Sequence, residues 1–345
     1  MWWAELLNSI FGSLSSGVAA ATGAIAIAHS NSPYVTAYPW SASGFGTKYS
    51  DPATLPAAIG YGVAFNPTNT AIAVGGSSSP YIYAYPWSAS TGFGTKYSDP
   101  ATLPTGGGNR LTWTAAGTNI AIAHDTSPFV SVYPWSSGFG SKYANPASLP
   151  TANGQDVCFD SGGNNIVIGS GTTPFIHAYP FSSGFGTKYA NPATLPASAV
   201  NSVNFNPAGN VISTAHNISP FTTSYPWSSG FGTKYANPAT LPPSTGTGTA
   251  WNSSGNTLAI SHSSSPYVSV YAWSSGYGSK YADPATTPTG NGNGVAFDST
   301  GTNIAIAHAT TPFISTYPWS AGFGTKYSDP ATLPASTGRD VAFTN

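Results

Sequence analysis

Apolar and polar positions come in short bursts along almost the whole chain, and the bursts recur in a fixed order. Four of them follow one another in one stretch: Asp156-Val-Cys-Phe159, Asn165-Ile-Val-Ile-Gly169, Pro174-Phe-Ile-His-Ala-Tyr179 and Phe185-Gly-Thr-Lys-Tyr189. Each is rich in β-branched or aromatic residues and is bounded by Gly, Pro, Asn or Ser, which predicts short strands joined by tight turns. The first turn reads Asp160-Ser-Gly-Gly163, and elsewhere Asn206-Pro-Ala-Gly209 or Asp298-Ser-Thr-Gly301. An Asx side chain opens it and glycine supplies a positive φ. In Asn66-Pro-Thr-Asn69 asparagine stands in for the glycine, being the residue next most tolerant of that conformation.

The order repeats. A Ser/Thr-Pro-aromatic motif has its proline at Pro33, Pro80, Pro128, Pro174, Pro220, Pro266 and Pro312. A Gly-Phe/Tyr-Gly-Thr/Ser-Lys-Tyr motif has its lysine at Lys48, Lys96, Lys142, Lys188, Lys234, Lys280 and Lys326, which are all the lysines of the chain. Four strands at a period of about 46 residues are the dimensions of a propeller blade. The first-strand aromatic falls at Phe65, Trp113, Phe159, Phe205, Trp251, Phe297 and Phe343, whereas the second strand already occurs near Ile25. The chain therefore starts inside a blade and supplies that blade's missing strand with Val341-Ala-Phe343. The expected fold is all-β: a seven-bladed β-propeller over residues 16–345, closed by pairing of its N- and C-terminal strands, which leaves no unpaired junction.

Residues 1–15 break the repeat. Trp3, Leu6, Leu7, Ile10, Phe11 and Leu14 fall on one stripe at helical spacing, with Glu5, Asn8, Ser9 and Gly12 opposite. This predicts a short N-terminal amphipathic helix. Trp2, Trp3, Leu6, Leu7, Ile10 and Phe11 are its expected docking residues, seated on the chain's own propeller or on a neighbour. The segment lacks the basic start of a signal peptide, and its polar face carries no Lys or Arg for a membrane surface.

Composition narrows the function. Of 345 residues only 6% are charged, 14% are aromatic and the net charge is -1. A nucleic-acid binder needs a basic face to displace counterions, so nucleic acid is not an expected partner. No apolar run reaches the ~18 residues of a membrane span. A single cysteine, Cys158, rules out an intramolecular disulfide framework and a cysteine-built zinc site.

The segment Gly62-Val-Ala-Phe-Asn-Pro-Thr-Asn-Thr-Ala-Ile-Ala-Val-Gly-Gly76, followed by Tyr81-Ile-Tyr-Ala-Tyr85, resembles the inner, second and third strands of the WD-repeat family. The family's Trp-Asp pair falls on Tyr85-Pro86 here, and its Gly-His pair is missing, so its His-Asp network is absent. The Tyr-Pro-Trp and Gly-Phe-Gly-Thr-Lys-Tyr signatures resemble repeats in structural proteins of tailed bacteriophages. That second resemblance implies a virion protein.

The conspicuous residues have assignable roles. Trp40, Trp87, Trp135, Trp227, Trp273 and Trp319, with Phe181 as the seventh, close the third strand; packing between blades is expected, with sugar stacking as the alternative. The seven lysines lie on the outer strand, where they discourage strand addition or offer seven positive points to a partner. The Asx residue that follows alternates between Asp51, Asp99, Asp283, Asp329 and Asn145, Asn191, Asn237, so its charge is dispensable and a turn-bracing bond is expected. His29, His124, His216, His262 and His308 end the second strand, in different blades and too far apart for one metal. His177 lies elsewhere and has no evident partner. The unrepeated charges Arg110, Asp156 and Asp340 share one register before the inner strand, with Arg339 one residue earlier. They are the candidate ligand-binding residues, either around the channel mouth or as inter-blade pairs such as Arg110 with Asp156.

No catalytic constellation emerges: there is no Gly-x-Ser-x-Gly elbow and no phosphate-cradling Gly-Lys-Ser/Thr loop. The sequence thus leads to a non-enzymatic virion protein without metal or cofactor, decorating a capsid or tail and bound to other virion proteins or copies of itself. The alternative is an extracellular lectin-like propeller that binds cell-surface glycan through several weak sites.

Overall fold

The computed structural model of the protein describes residues 23–345. The segment 1–15, with its expected amphipathic helix and docking residues Trp2, Trp3, Leu6, Leu7, Ile10 and Phe11, lies outside the described residues. The rest forms seven sheets of antiparallel strands and fits a seven-bladed propeller, with no helix among the described residues.

The inner strands are Gly60–Phe65, Gly108–Trp113, Gly154–Phe159, Val200–Phe205, Gly246–Trp251, Gly292–Phe297 and Gly338–Phe343. Each packs on the next, and Gly338–Phe343 lies against both Gly292–Phe297 and Gly60–Phe65. It also pairs with Gly23–His29, Ile25 opposite Phe343 and Ile27 opposite Val341. In the Gly60–Phe65 blade the turn after the inner strand is braced by Asn66 Oδ1, which accepts from the amides of Thr70 and Ala71 at 2.8 and 2.9 Å. At the chain termini Thr344 does this work: its Oγ1 accepts from the Ala24 amide at 2.9 Å.

Each residue of the Tyr-Pro-Trp motif has a separate duty. The tyrosine is fully buried and its hydroxyl donates to a carbonyl in the connector from the preceding blade, as in Tyr179 to Ser148 at 2.7 Å and Tyr225 to Thr194 at 2.8 Å. The tryptophan meets three rings edge-on. Trp135 contacts Trp113 of its own inner strand at 4.8 Å, Phe139 at 5.0 Å, and Tyr97 of the preceding blade at 5.1 Å. These tryptophans are at most 8% exposed, so their faces are closed to sugar and stacking there is ruled out.

The proline shortens the outer strand. Full fourth strands such as Phe185–Tyr189 are expected from the sequence, but most blades keep only a bridge, such as Phe181 to Phe185, or a two-residue strand, Gly44–Phe45 or Gly92–Phe93. Pro39 O accepts from Gly46 N at 2.8 Å, so the proline's backbone faces the outer strand, and there it has no N–H to give. In one blade Ala272 replaces the proline, and that blade has a four-residue outer strand, Tyr277–Lys280.

The third strand also starts later than expected, at Ile176. The residues before it form a turn closed by Phe175 N to Thr172 O at 2.7 Å, and Phe175 has φ 69°. The equivalent carbonyls press on the next inner strand. A Cβ on Gly60 would lie 2.4 Å from Tyr34 O, which is why glycine begins most inner strands.

Candidate functional site at the channel mouth

The second residue of every inner strand reaches one end of the central channel. There Tyr61, Asn109, Gln155, Asn201, Thr247, Asn293 and Arg339, with Arg110, line a cavity of about 270 Å³. Several of these residues clip one blade to the next. Asn109, Asn201 and Asn293 donate through Nδ2 to the carbonyls of Gly154, Gly246 and Gly338 at 2.7, 2.8 and 2.7 Å. Thr247 Oγ1 donates to Gly292 O at 2.5 Å.

The two arginines are placed differently. Arg339 lies with its guanidinium 5.7 Å from the Tyr61 ring centre and donates through Nε to Ser30 Oγ at 2.8 Å. Among the described residues this is its one hydrogen bond, and its terminal nitrogens remain for a ligand. Arg110 crosses the channel. Its Nη2 donates to Thr247 O and Asn293 O at 3.2 and 2.5 Å, and Nη1 lies 3.5 Å from Asp340 Oδ1. Glycine at positions 62, 248 and 294 keeps the register clear: a Cβ on Gly294 would fall 2.9 Å from both Cα and Oδ1 of Asp340.

Beneath Arg110 lie two carboxylates, Asp156 buried and Asp340 partly so. Asp156 accepts from the amides of Val157 and Val203 at 2.8 and 2.9 Å, and Asp340 from that of Val63 at 3.1 Å. Burial raises the Asp156 carboxyl to about 6, against the opposing pull of Arg110; Asp340 is raised for the same reason, again opposed by Arg110. The direct ion pair of Arg110 is therefore with Asp340, across an intervening blade, and not with Asp156 in the next one.

The other sequence candidates lie away from this mouth. Each lysine folds back on the Asx residue three positions on: Lys48, Lys96, Lys280 and Lys326 pair with Asp51, Asp99, Asp283 and Asp329. Lys142, Lys188 and Lys234 donate to Asn145, Asn191 and Asn237. The Asx oxygen thus serves an ammonium rather than the backbone amide expected. The second-strand histidines are buried and each bonds a hydroxyl on the third strand, as His124 Nε2 does with Ser131 Oγ at 3.0 Å. Among the described residues no group of three His, Cys, Asp or Glu side chains could hold a metal ion, and no helix is long and apolar enough to cross a membrane.

The sequence reading missed Tyr61, Asn201, Thr247 and Asn293. The signal was present, because they share the register of Arg339, Asn109 and Gln155, but a position that holds Tyr, Asn, Gln, Thr or Arg in different blades does not announce a site.

No protein-family model and no curated relative matches the chain. Solved structures do. One from Bacteroides fragilis, described as a "putative 6-phosphogluconolactonase", superposes with a TM-score of 0.74 at 12% identity, covering 94% of this chain and 98% of that one. A protein of the same description from Bacteroides uniformis gives 0.69 at 12% identity over 93% and 99%. A Lactobacillus plantarum protein also gives 0.69 at 12% identity, over 94% and 99%. At this identity the likeness is one of fold. It nevertheless corrects the sequence-based function: the named neighbours are described as sugar-lactone enzymes, not virion proteins. The virion reading and the exclusion of enzymatic activity are therefore both withdrawn.

Proposed function

We propose that the arginine-bearing mouth binds a small anionic sugar derivative and that the chain hydrolyses a lactone there. One observation carries the reading: a chain with only nine basic side chains directs both of its arginines to a single cavity whose lining contains no carboxylate. Guanidinium groups make bidentate, charge-assisted bonds to phosphate and carboxylate, and the Asn, Gln and Thr rim matches sugar hydroxyls. The likeness to propellers described as 6-phosphogluconolactonases supports the reaction class. The reading includes a ring closed by the terminal strand pair, which makes the mouth a continuous rim of seven residues.

In such a hydrolysis water adds to the lactone carbonyl carbon and the ring C–O bond breaks. The ring oxygen leaves as a hydroxyl, and the new carboxylic acid releases one proton. A guanidinium next to the carbonyl oxygen stabilises the charge that develops on it. The test is proton release from 6-phosphogluconolactone in a pH-stat, with calorimetric titration of 6-phosphogluconate. Acceleration over the spontaneous rate, with KM raised tenfold or more in Arg339→Gln, is expected. Binding without acceleration would remove the hydrolase and keep the anion site; neither binding nor acceleration would overturn both.

A further inference from the structure

One carboxylate stands apart from the other acids of the described residues. Four aspartates pair with lysines on the outer strands, and Asp156 and Asp340 accept backbone amides beneath Arg110. Asp160 and Asp298 brace the turns after their inner strands. Asp125 does none of this. It is exposed, directly after the second strand Asn119–His124, and its side chain accepts one hydrogen bond, from Asn109 Nδ2 to Oδ1 at 2.9 Å. Among the described residues no cation pairs with it and Oδ2 has no hydrogen-bond donor. Asn109 lines the arginine mouth, so this carboxylate stands on the rim, one side chain outside the cavity wall.

Two departures from the repeat coincide here. The same place is held by Asn217 in another blade, where Asn201 Nδ2 donates to Asn217 Oδ1 at 2.6 Å. An amide thus does the same bracing, and the charge at position 125 is not needed for it. The amide of Asp125 donates to Gly107 O at 3.1 Å. Five other blades make the equivalent bond, and there the acceptor is Ile59, Asn153, Thr245, Asn291 or Thr337, each with a side chain. Among these six, glycine occurs only beside the carboxylate. A Cβ on Gly107 would fall 2.8 Å from Asp125 Oδ2, so the missing side chain leaves that oxygen uncovered.

We propose that Asp125 is the general base for lactone hydrolysis at the mouth, an inference that rests on the hydrolytic reading above. A water held at Oδ2 gives a proton to the carboxylate as its oxygen bonds to the lactone carbonyl carbon. The ring C–O bond then breaks, the ring oxygen takes that proton back from Asp125, and the new carboxylic acid releases its own proton to solvent. Imidazoles commonly do this work, but all six here are buried and bonded to hydroxyls within the blades. The strand Gly60–Phe65 lies between those of Asn109 and Arg339. The base therefore stands two inner strands away from the guanidinium that takes the anionic group, and the two negative charges are kept apart.

The test uses the full chain, with 6-phosphogluconolactone in a pH-stat and calorimetric titration of 6-phosphogluconate. Asp125→Asn copies the Asn201–Asn217 pair and removes only the charge. It should bind 6-phosphogluconate within roughly twofold of the native protein and lose about 100-fold or more in kcat. Asp125→Ala should lose as much, and added formate, which supplies a carboxylate, should restore roughly tenfold; a merely bracing role would not respond to formate. If the native chain accelerates hydrolysis and Asp125→Asn keeps its kcat, the base assignment is overturned and the hydrolase stands. If the native chain binds 6-phosphogluconate without accelerating hydrolysis, both are overturned.

Discussion

His177 Nε2 lies 3.0 Å from Ser170 Oγ, and the pair is the mirror of one found elsewhere in the ring. In five blades the histidine is on the second strand and the hydroxyl on the third: His29 with Thr36, His124 with Ser131, His216 with Thr223, His262 with Ser269 and His308 with Ser315, at 2.8 to 3.0 Å. Here the two have changed places. In the remaining blade Gly76 and Tyr83 share the volume, and a Cβ on Gly76 would come within 2.7 Å of the tyrosine ring. The ring conserves a filled space, and in six blades a buried hydrogen bond, rather than a residue type at a position.

His177→Ala should cost about 2–4 kcal/mol, because it removes the imidazole's bonds with Ser170 and Thr151 and opens a void. The exchange Ser170→His/His177→Ser, which copies the arrangement of the other blades, should recover most of that loss. Urea unfolding of the two singles and the double gives the coupling; simple additivity would contradict the mirror-pair account.

The buried imidazoles set an acid limit on stability. Burial lowers five of them to about 4 and His177 to about 3, from an ordinary 6.5. Between those values the unfolded chain binds more protons than the folded one, so stability falls as pH falls from 6.5 toward 4. Each histidine that titrates removes roughly 1.4 kcal/mol per pH unit. Asp156, raised to about 6, and Asp340, also raised by burial, work the other way below pH 6, but they are two groups against six. A thermal midpoint that drops steeply between pH 6.5 and 4.5 is expected; a flat profile would mean the imidazoles are solvated.

Arg110→Met keeps the bulk and removes the charge. At pH 8 it should cost about 3–5 kcal/mol, because Asp340 loses its ion-pair partner and Asp156 its neighbouring cation inside the channel. Asp156 binds a proton more readily folded than unfolded, so its burden is present above pH 6 and relieved on acidification. The difference between variant and native protein, read by denaturant titration at pH 8 and pH 5, should therefore shrink at the lower pH.

Ala272→Pro should reduce the outer strand Tyr277–Lys280 to the bridge seen in other blades, at a cost of about 0.5–1.5 kcal/mol for the lost bond. Pro226→Ala should do the reverse and add a slowly exchanging amide at position 226. Both are read by hydrogen exchange on the outer strand, and no change in either would place the cause of the short strands elsewhere.

The period, the strand order within a blade and the inter-blade packing of the tryptophans were legible because each rests on a pattern stated seven times. What was illegible depends on geometry between blades. Gly60 is required by a carbonyl of the preceding blade that no local motif reveals. Val200 takes the equivalent position where the facing residue of the preceding blade is Gly169, whose added Cβ would meet the valine side chain at 2.6 Å. The preference of Arg110 for Asp340 over the adjacent Asp156 follows from the curvature of the ring, which brings together side chains that sequence order separates. The Lys–Asx pairs escaped because they form in a segment with almost no ladder bonds, where strand alternation does not predict direction.

The alanine at position 272 also makes the seven edges of the molecule unequal. In six blades a proline on the third strand withholds a donor from the outer strand, which stays a bridge or two residues long. The Tyr277–Lys280 strand is the longest outer edge, and it occurs once per molecule. Two copies joined through it antiparallel would be related by a twofold axis and would use up both edges, so such a pairing would end at two molecules.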